Sequence, residues 1–150
     1  MKIKAGILFI FLLLNSINLF AKDHKKQIKC LADNIYHEAK GEPLKGQLGV
    51  AFVTLNRTKS SKYPNDICKV VYQPGQFSWT RKKRLTRPKG SEYNEIMNLA
   101  EHFYHNHHEI KDVTNGSLFF HATYVKPKWK NVKKSIKIGG HIFYKSKGAS

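Results

Sequence analysis

The sequence predicts an α+β fold, a helical body followed by a small antiparallel β-sheet near the C-terminus. Three observations carry that expectation. Apolar residues recur at helical spacing in long stretches beginning near Ile28, Leu44 and Tyr93. From Ser117 the pattern changes to short runs rich in aromatic and β-branched residues. Gly139-Gly140 then separates two such runs, a good hairpin signal. Helices first and strands afterwards is the order of an α+β domain rather than of alternating βα units.

The chain opens on a segment of another kind. Lys2 and Lys4 give a positive start, Ile7 to Leu14 an apolar core, and Leu19-Phe20-Ala21 a small-residue cleavage site. Residues 1–21 therefore read as a secretory signal peptide. Asn15, Ser16 and Asn18 interrupt the apolar stretch, which argues against a spanning helix of about 20 residues; an uncleaved anchor is the alternative. Residues 22–150 then form one exported domain, with no stable transmembrane segment after processing and with length enough for its own core.

The first helix of that domain carries Ile28, Leu31, Ala32, Ile35 and Ala39 as one apolar stripe, and Gly41 stops it. At about 100° per residue, Glu38 falls roughly 80° to one side of Ile28, beside Leu31, while His37 takes the solvent pole. A carboxylate on the shoulder of an apolar face is partly desolvated, which raises its pKa toward that of a usable proton donor. The plain alternative is a solvated glutamate near a helix end.

Glu42-Pro43 starts the next helix, Leu44 to Arg57, which is apolar nearly all round and so is expected to be the central, buried one. Its polar exceptions Gln47 and Thr54 share a face, looking either into a cleft or to internal hydrogen bonds. Asp66 is expected to cap a short helix ending near Tyr72, and Pro74-Gly75 to make a turn. The basic run Arg81 to Lys89 is a solvated loop or a grip on an anionic polymer. Ser91 is expected to cap a helix with Tyr93, Ile96, Met97, Ala100 and Tyr104 inward. His102, His105, His107 and His108 follow no recognised zinc spacing and read as solvated, so no metal and no cofactor are expected.

The formal charge is +17, and removing Lys2 and Lys4 leaves 25 basic against 10 acidic residues. So positive a field implies a polyanionic partner. For an exported chain that means anionic envelope polymers. Lysine outnumbers arginine 23 to 4 and aromatic stacking motifs are absent, which speaks against nucleic acid. Cys30 and Cys68 are an even pair in an exported chain, which suggests a disulfide; two buried thiols or a metal pair with histidines are the alternatives.

The few acids can be enumerated. Asp23 lies in the ragged start, Asp33 faces solvent, and Asp66 caps a helix. Glu92, Glu95, Glu101 and Glu109 belong to an exposed helix or its end, and Asp112 to a turn. Glu42 helps satisfy a helix start. Glu38 is left, with no nucleophile elbow, P-loop or dinucleotide fingerprint to compete with it. Trp79, Trp129, Tyr124, Phe77 and Tyr144 are available as stacking faces for sugar rings, although each taken singly reads as core.

Tyr36-His37-Glu38-Ala39-Lys40-Gly41-Glu42-Pro43, Gly46-Gln47, Val53-Thr54-Leu55-Asn56-Arg57 and Val71-Tyr72-Gln73-Pro74-Gly75-Gln76-Phe77-Ser78-Trp79 together resemble the SleB/CwlJ-type cell-wall hydrolase family. Thr114-Asn115-Gly116, Phe120-His121-Ala122, Pro127-Lys128-Trp129 and His141-Ile142-Phe143-Tyr144 extend the likeness over about residues 27 to 145. Lys40 departs from the family's usual arginine. The resemblance implies a lysozyme-like or lytic-transglycosylase-like domain acting on peptidoglycan; with the N-terminal signal and the positive charge, the expectation is a monomer, periplasmic or extracellular and wall-associated. It implies cleavage between N-acetylmuramic acid and N-acetylglucosamine with Glu38 as catalytic acid and base. Gln47, Thr54, Gln76, Ser78, His121 and Tyr124 are the substrate-facing candidates. The alternatives are an N-acetylmuramoyl-L-alanine amidase and an inactive cationic wall-binding module.

Overall fold

A helix wrapped on three sides organises the body. The computed structural model describes residues 3–81 and 88–148, the part before Ala21 by its backbone alone. Its elements are α1 (Ile3–Ala39), α2 (Leu44–Lys59), α3 (Ile67–Val71), a 3₁₀ turn (Ser78–Arg81), α4 (Ser91–Asn106), β1 (Phe119–Ala122), β2 (Val132–Ile138) and β3 (His141–Ser146). The order matches the expected α+β class. Helix α1 runs unbroken from Ile3 to Ala39, and Gly41, at φ 92°, turns the chain out of it. Of the expected basic run, residues 82–87 lie outside the described residues.

The expected stripe of Ile28, Leu31, Ala32, Ile35 and Ala39 is buried and meets Val50, Ala51 and Phe52 of α2. On another side Cys30 is joined to Cys68 of α3 by a disulfide. Gln27 strengthens that junction: its Oε1 accepts from the backbone N–H of Ile67 at 2.9 Å, and its Nε2 donates to Asp66 at 2.6 Å. Asp66 caps α3 as expected, accepting from Lys69 N–H. Helix α4 closes the third side with Ile96, Ala100 and Phe103.

That third contact corrects the placement of Asp33. It is only 6% exposed, because Tyr93 of α4 covers it and donates to Oδ1 at 2.6 Å, while Lys29 reaches Oδ2 at 2.6 Å. Ser91 does not cap α4; it is the first helical residue, after Gly90. The burial of Asp33 comes from tertiary packing, which a single-helix wheel cannot contain.

The sheet is antiparallel with order β1-β3-β2. Its inner face presents Phe120, Ile138 and Phe143, and Phe143 is fully buried. Helix α2 receives that ring in a notch: a Cβ on Gly49 would stand 2.5 Å from Phe143 Cζ. Glu42 corrects another expectation. Rather than serving the start of α2, which has no side-chain cap, its carboxylate accepts from Gly140 N–H at 2.8 Å. A Cβ on Gly139 or Gly140 would overlap that carboxylate, so the two-glycine turn is needed for close approach as well as for its bend.

Gly49→Ala would gain helix propensity of about 1 kcal/mol, but it would drive a methyl into a buried ring at about 1–3 kcal/mol. We expect net destabilisation, read as a lower denaturant midpoint. Cys30→Ser with Cys68→Ser should cost about 2–4 kcal/mol through the lost cross-link, checked the same way under non-reducing conditions.

Candidate active site

Glu38 occupies the last turn of α1, half-buried on the flank of its apolar stripe. Burial raises its carboxyl from 4.5 to about 7, against the opposing pull of the Arg57 charge. No second carboxylate contributes, although all ten acidic residues lie in the described part of the chain.

Arg57 is the site residue that sequence reasoning placed only as the end of a helix. It is 5% exposed. Its Nε donates to the Leu118 carbonyl at 2.8 Å, and its guanidinium stands 5.3 Å from the ring centres of both Tyr63 and Phe77. Nη1 has no hydrogen bond among the described residues. Burial lowers the pKa of Arg57, while Tyr63 and Glu38 raise it; a guanidinium still stays charged. The signal for it was its position on the buried side of α2, three residues after Thr54.

Beside Glu38 in sequence, His37 lies flat against Trp79, with ring centres 4.3 Å apart and planes at 21°. It is half-buried rather than at a solvent pole. A buried polar relay fixes that stack. Trp79 Nε1 donates to Asn34 Oδ1 at 3.2 Å, Asn34 Nδ2 donates to Thr54 Oγ1 at 3.1 Å, and Thr54 donates to the Val50 carbonyl at 2.9 Å. Asn34 sits four residues before Glu38, on the same flank of α1, and that spacing was the readable signal for it.

The substrate-facing candidates do not gather in one place. Thr54 is fully buried and belongs to the relay, so it does not face a groove; α1 covers it through Asn34. Gln47 is half-buried, donates to the Glu42 carbonyl at 3.2 Å, and lines a hollow of about 560 Å³ with Glu92, Glu95 and Ile96 of α4. Gln76 is half-buried and Ser78 exposed, on the loop and turn that lead to Trp79. His121 is on the sheet, where Nε2 meets Tyr144 Oη at 2.9 Å, and Tyr124 beyond it is 87% exposed. Lys40, the departure from the family's arginine, rests 4.8 Å from the centre of the Tyr36 ring. Among the described residues, no three His, Cys, Asp or Glu side chains form a group able to hold a metal ion.

Known proteins can be set beside this geometry. The spore cortex-lytic enzyme of Bacillus cereus is 29% identical over 124 residues, which are 81% of this chain and 45% of that protein. That of Bacillus subtilis is 43% identical over 51 residues, 34% of this chain and 17% of the relative. The chain thus spans less than half the length of these curated relatives. Among solved structures, the catalytic domain of the germination-specific lytic transglycosylase SleB from Bacillus anthracis superposes with TM-score 0.64 at 28% identity. That match covers 79% of this chain and 93% of the other. The catalytic domain of the Bacillus cereus SleB protein gives 0.63 at 28% identity, covering 79% and 89%. Residues 41–144, beginning just past Glu38, match the family described as Cell Wall Hydrolase. With the match running through α2, α4 and all three strands, the chain belongs to the cell wall hydrolase family.

Proposed function

We propose that this chain degrades peptidoglycan as a lytic transglycosylase, cutting the glycan strand between N-acetylmuramic acid and N-acetylglucosamine. The observation that carries the reading is the half-buried Glu38 carboxyl, raised to about 7 and opposed by Arg57, with no carboxylate partner. Glycosidases of the two-carboxylate type need a second acid, as a nucleophile or as a base for water. A lone acid suits a reaction in which the substrate supplies its own nucleophile.

In that reaction the protonated Glu38 gives its proton to the glycosidic oxygen as the bond to C1 of the muramic acid breaks. The C6 hydroxyl of the same sugar attacks C1, and the Glu38 carboxylate takes the hydroxyl proton. One ring closes, one chain end is released, and Glu38 returns to its starting state. Arg57 keeps that cycle near neutrality by opposing part of the effect of burial. The Asn34–Trp79–His37 assembly would hold the wall beside the acid rigid.

We also propose export with removal of residues 1–21 and action at the cell wall, with Cys30–Cys68 formed outside the cytoplasm. The packing supports that boundary, since Ala21 to Asp23 are exposed and burial begins at His24 and Gln27. Among the described residues, no helix is long and apolar enough to cross a membrane.

Glu38→Gln should keep the fold and lower release of soluble fragments from purified sacculi by at least about a hundredfold, the scale of general acid loss. Wild-type turnover in that variant would overturn the assignment. Mass spectra of the products should show ends lighter by one water than hydrolysed reducing ends; only full-weight ends would mean that water is the nucleophile.

The acid is active when protonated, so turnover should fall as pH rises through about 7. Arg57→Gln removes the opposing charge and should move that alkaline limb to higher pH, with melting curves checking the fold. A carboxyl whose folded pKa exceeds its unfolded value stabilises at low pH and loses that contribution as pH rises through the folded pKa. The melting temperature of Glu38→Gln should therefore gain on the wild type between pH 5 and pH 8.

A further inference from the structure

Large apolar side chains left in water are few, and they cluster. Among the described residues they are Leu44, Tyr72, Tyr124, Val125 and Trp129. Three of the five thus fall in one stretch, Tyr124-Val125-Lys126-Pro127-Lys128-Trp129-Lys130, in the loop between β1 and β2. A contiguous patch of that kind marks an interaction surface. Lys126, Lys128 and Lys130 are interleaved with it, are exposed themselves, and form no ion pair among the described residues.

The exposure does not come from a loop without attachments. At its start Thr123 N–H donates to the Gly140 carbonyl at 2.8 Å and Val125 N–H to the Ala122 carbonyl at 2.9 Å. At its end the Asn131 carbonyl accepts from Lys147 N–H at 3.0 Å. Between these ties Trp129 leans on Phe119, His121 and Tyr144, with ring centres 5.8, 5.5 and 5.7 Å away. Trp129 is still 43% exposed after those contacts, and Tyr124 is 87% exposed. The folded chain therefore holds aromatic surface outward.

The charge around the patch is of one sign. Residues 119–148 hold eight lysines and no aspartate, glutamate or arginine. Pairing in the sheet sets Lys134 opposite Tyr144 and Lys137 opposite Ile142, so cations continue on the strand face against which Trp129 rests. An anionic partner is favoured by that field. A soluble polyanion would use the lysines and leave Tyr124 and Val125 in water, and nucleic acid is better served by arginine forks and stacked bases. Tyrosine and tryptophan beside lysine suit the boundary between water and lipid. There the rings sit among the headgroups while the lysine stems lie along apolar surface and their ammonium groups meet phosphates.

We propose that the Tyr124–Lys130 loop docks on an anionic phospholipid surface. Tyr124, Val125 and Trp129 enter the headgroup layer, and Lys126, Lys128 and Lys130 meet its phosphates. Under the peptidoglycan reading this confines cleavage to polymer lying next to a membrane; the docking itself does not rest on that reading and is measured without turnover.

The test is co-sedimentation of the chain from Lys22 with lipid vesicles, because the apolar run within residues 1–21 would enter lipid by itself. Burial begins at His24 and Gln27, so this form keeps the packed core, and melting curves check it. Vesicles of equal parts phosphatidylcholine and phosphatidylglycerol should bind at least about tenfold more tightly than phosphatidylcholine alone, and high salt should shrink the difference. Emission should shift to the blue and be quenched by brominated acyl chains; Trp79 is only 6% exposed, so that signal belongs to Trp129. Tyr124→Ser and Trp129→Ala should each weaken binding at least about threefold. Tyr124 makes no ring contact among the described residues, so its variant reads lipid contact without disturbing the sheet face. Lys126→Gln, Lys128→Gln and Lys130→Gln together should weaken binding at least about tenfold. Removing the same charge from exposed positions elsewhere, with Lys59→Gln, Lys62→Gln and Lys111→Gln, should weaken it by no more than about twofold.

Equal binding to both kinds of vesicle, no binding to either, equal loss in the two triple variants, or full binding by Tyr124→Ser and Trp129→Ala would overturn the proposal. So would tighter binding to soluble polyphosphate, to a single-stranded oligonucleotide or to purified sacculi that falls in these variants while vesicle binding does not. Glu38→Gln should bind vesicles as the parent does, so failure of the cleavage reading and failure of the docking are told apart.

Discussion

The site depends on a positive charge kept in the interior without a carboxylate bound to it. Among the described residues Arg57 donates to a carbonyl and lies near two aromatic rings, but forms no ion pair with Glu38. A direct, well-solvated pair would pull a carboxylate below its ordinary pKa. Here desolvation outweighs the attraction and the carboxyl rises. The guanidinium is close enough to limit that rise, but burial is the larger effect and the carboxyl stays raised. Buried charge of this kind costs stability, and its retention makes sense where an acid has to change protonation state near neutrality.

The same guanidinium ties the acid to the sheet. Leu118, whose carbonyl accepts from Arg57, directly precedes β1, and the neighbouring Asn56 donates to the Ser117 carbonyl at 3.1 Å and to Asp112 at 2.9 Å. Asp112 also accepts from the Thr114 hydroxyl and from the Thr114 and Gly116 N–H groups; burial pushes its pKa up, but the hydrogen bonds from Asn56 and from these groups hold it down. At the other end of the sheet, Glu42 grips the Gly139-Gly140 turn from a position just past α1. With Phe143 seated against Gly49 between these ties, the sheet is fixed to the helical body by two polar anchors and one apolar peg.

How much of this the sequence revealed follows the range of the interaction. Local periodicity fixes the α1 stripe, the α2 and α4 helices, the Asp66 cap and the hairpin, because each is decided within a turn or two of chain. Glu38 was legible for the same reason: its shoulder position is a property of one helix. Asp33, His37 and Glu42 were misplaced because their partners Tyr93, Trp79 and Gly140 are distant in sequence. Thr54 shows the limit most clearly. Its polarity inside an apolar helix was readable, but only the opposing Asn34 decides that it ends in the core rather than in a groove.

That division of labour leaves the outer face of the sheet out of the core. The inner face is consumed by Phe120, Ile138 and Phe143, and the two ends are tied to α2 and to Glu42. His121, Tyr144 and Trp129 have no comparable role in closing the core, and the first two are already fixed by their mutual hydrogen bond. Side chains ordered by one another rather than by burial present a rigid surface at little further entropic cost on binding. In a chain whose acids are confined to the first three-quarters of its length, that surface also lies where repulsion of an anionic partner is weakest.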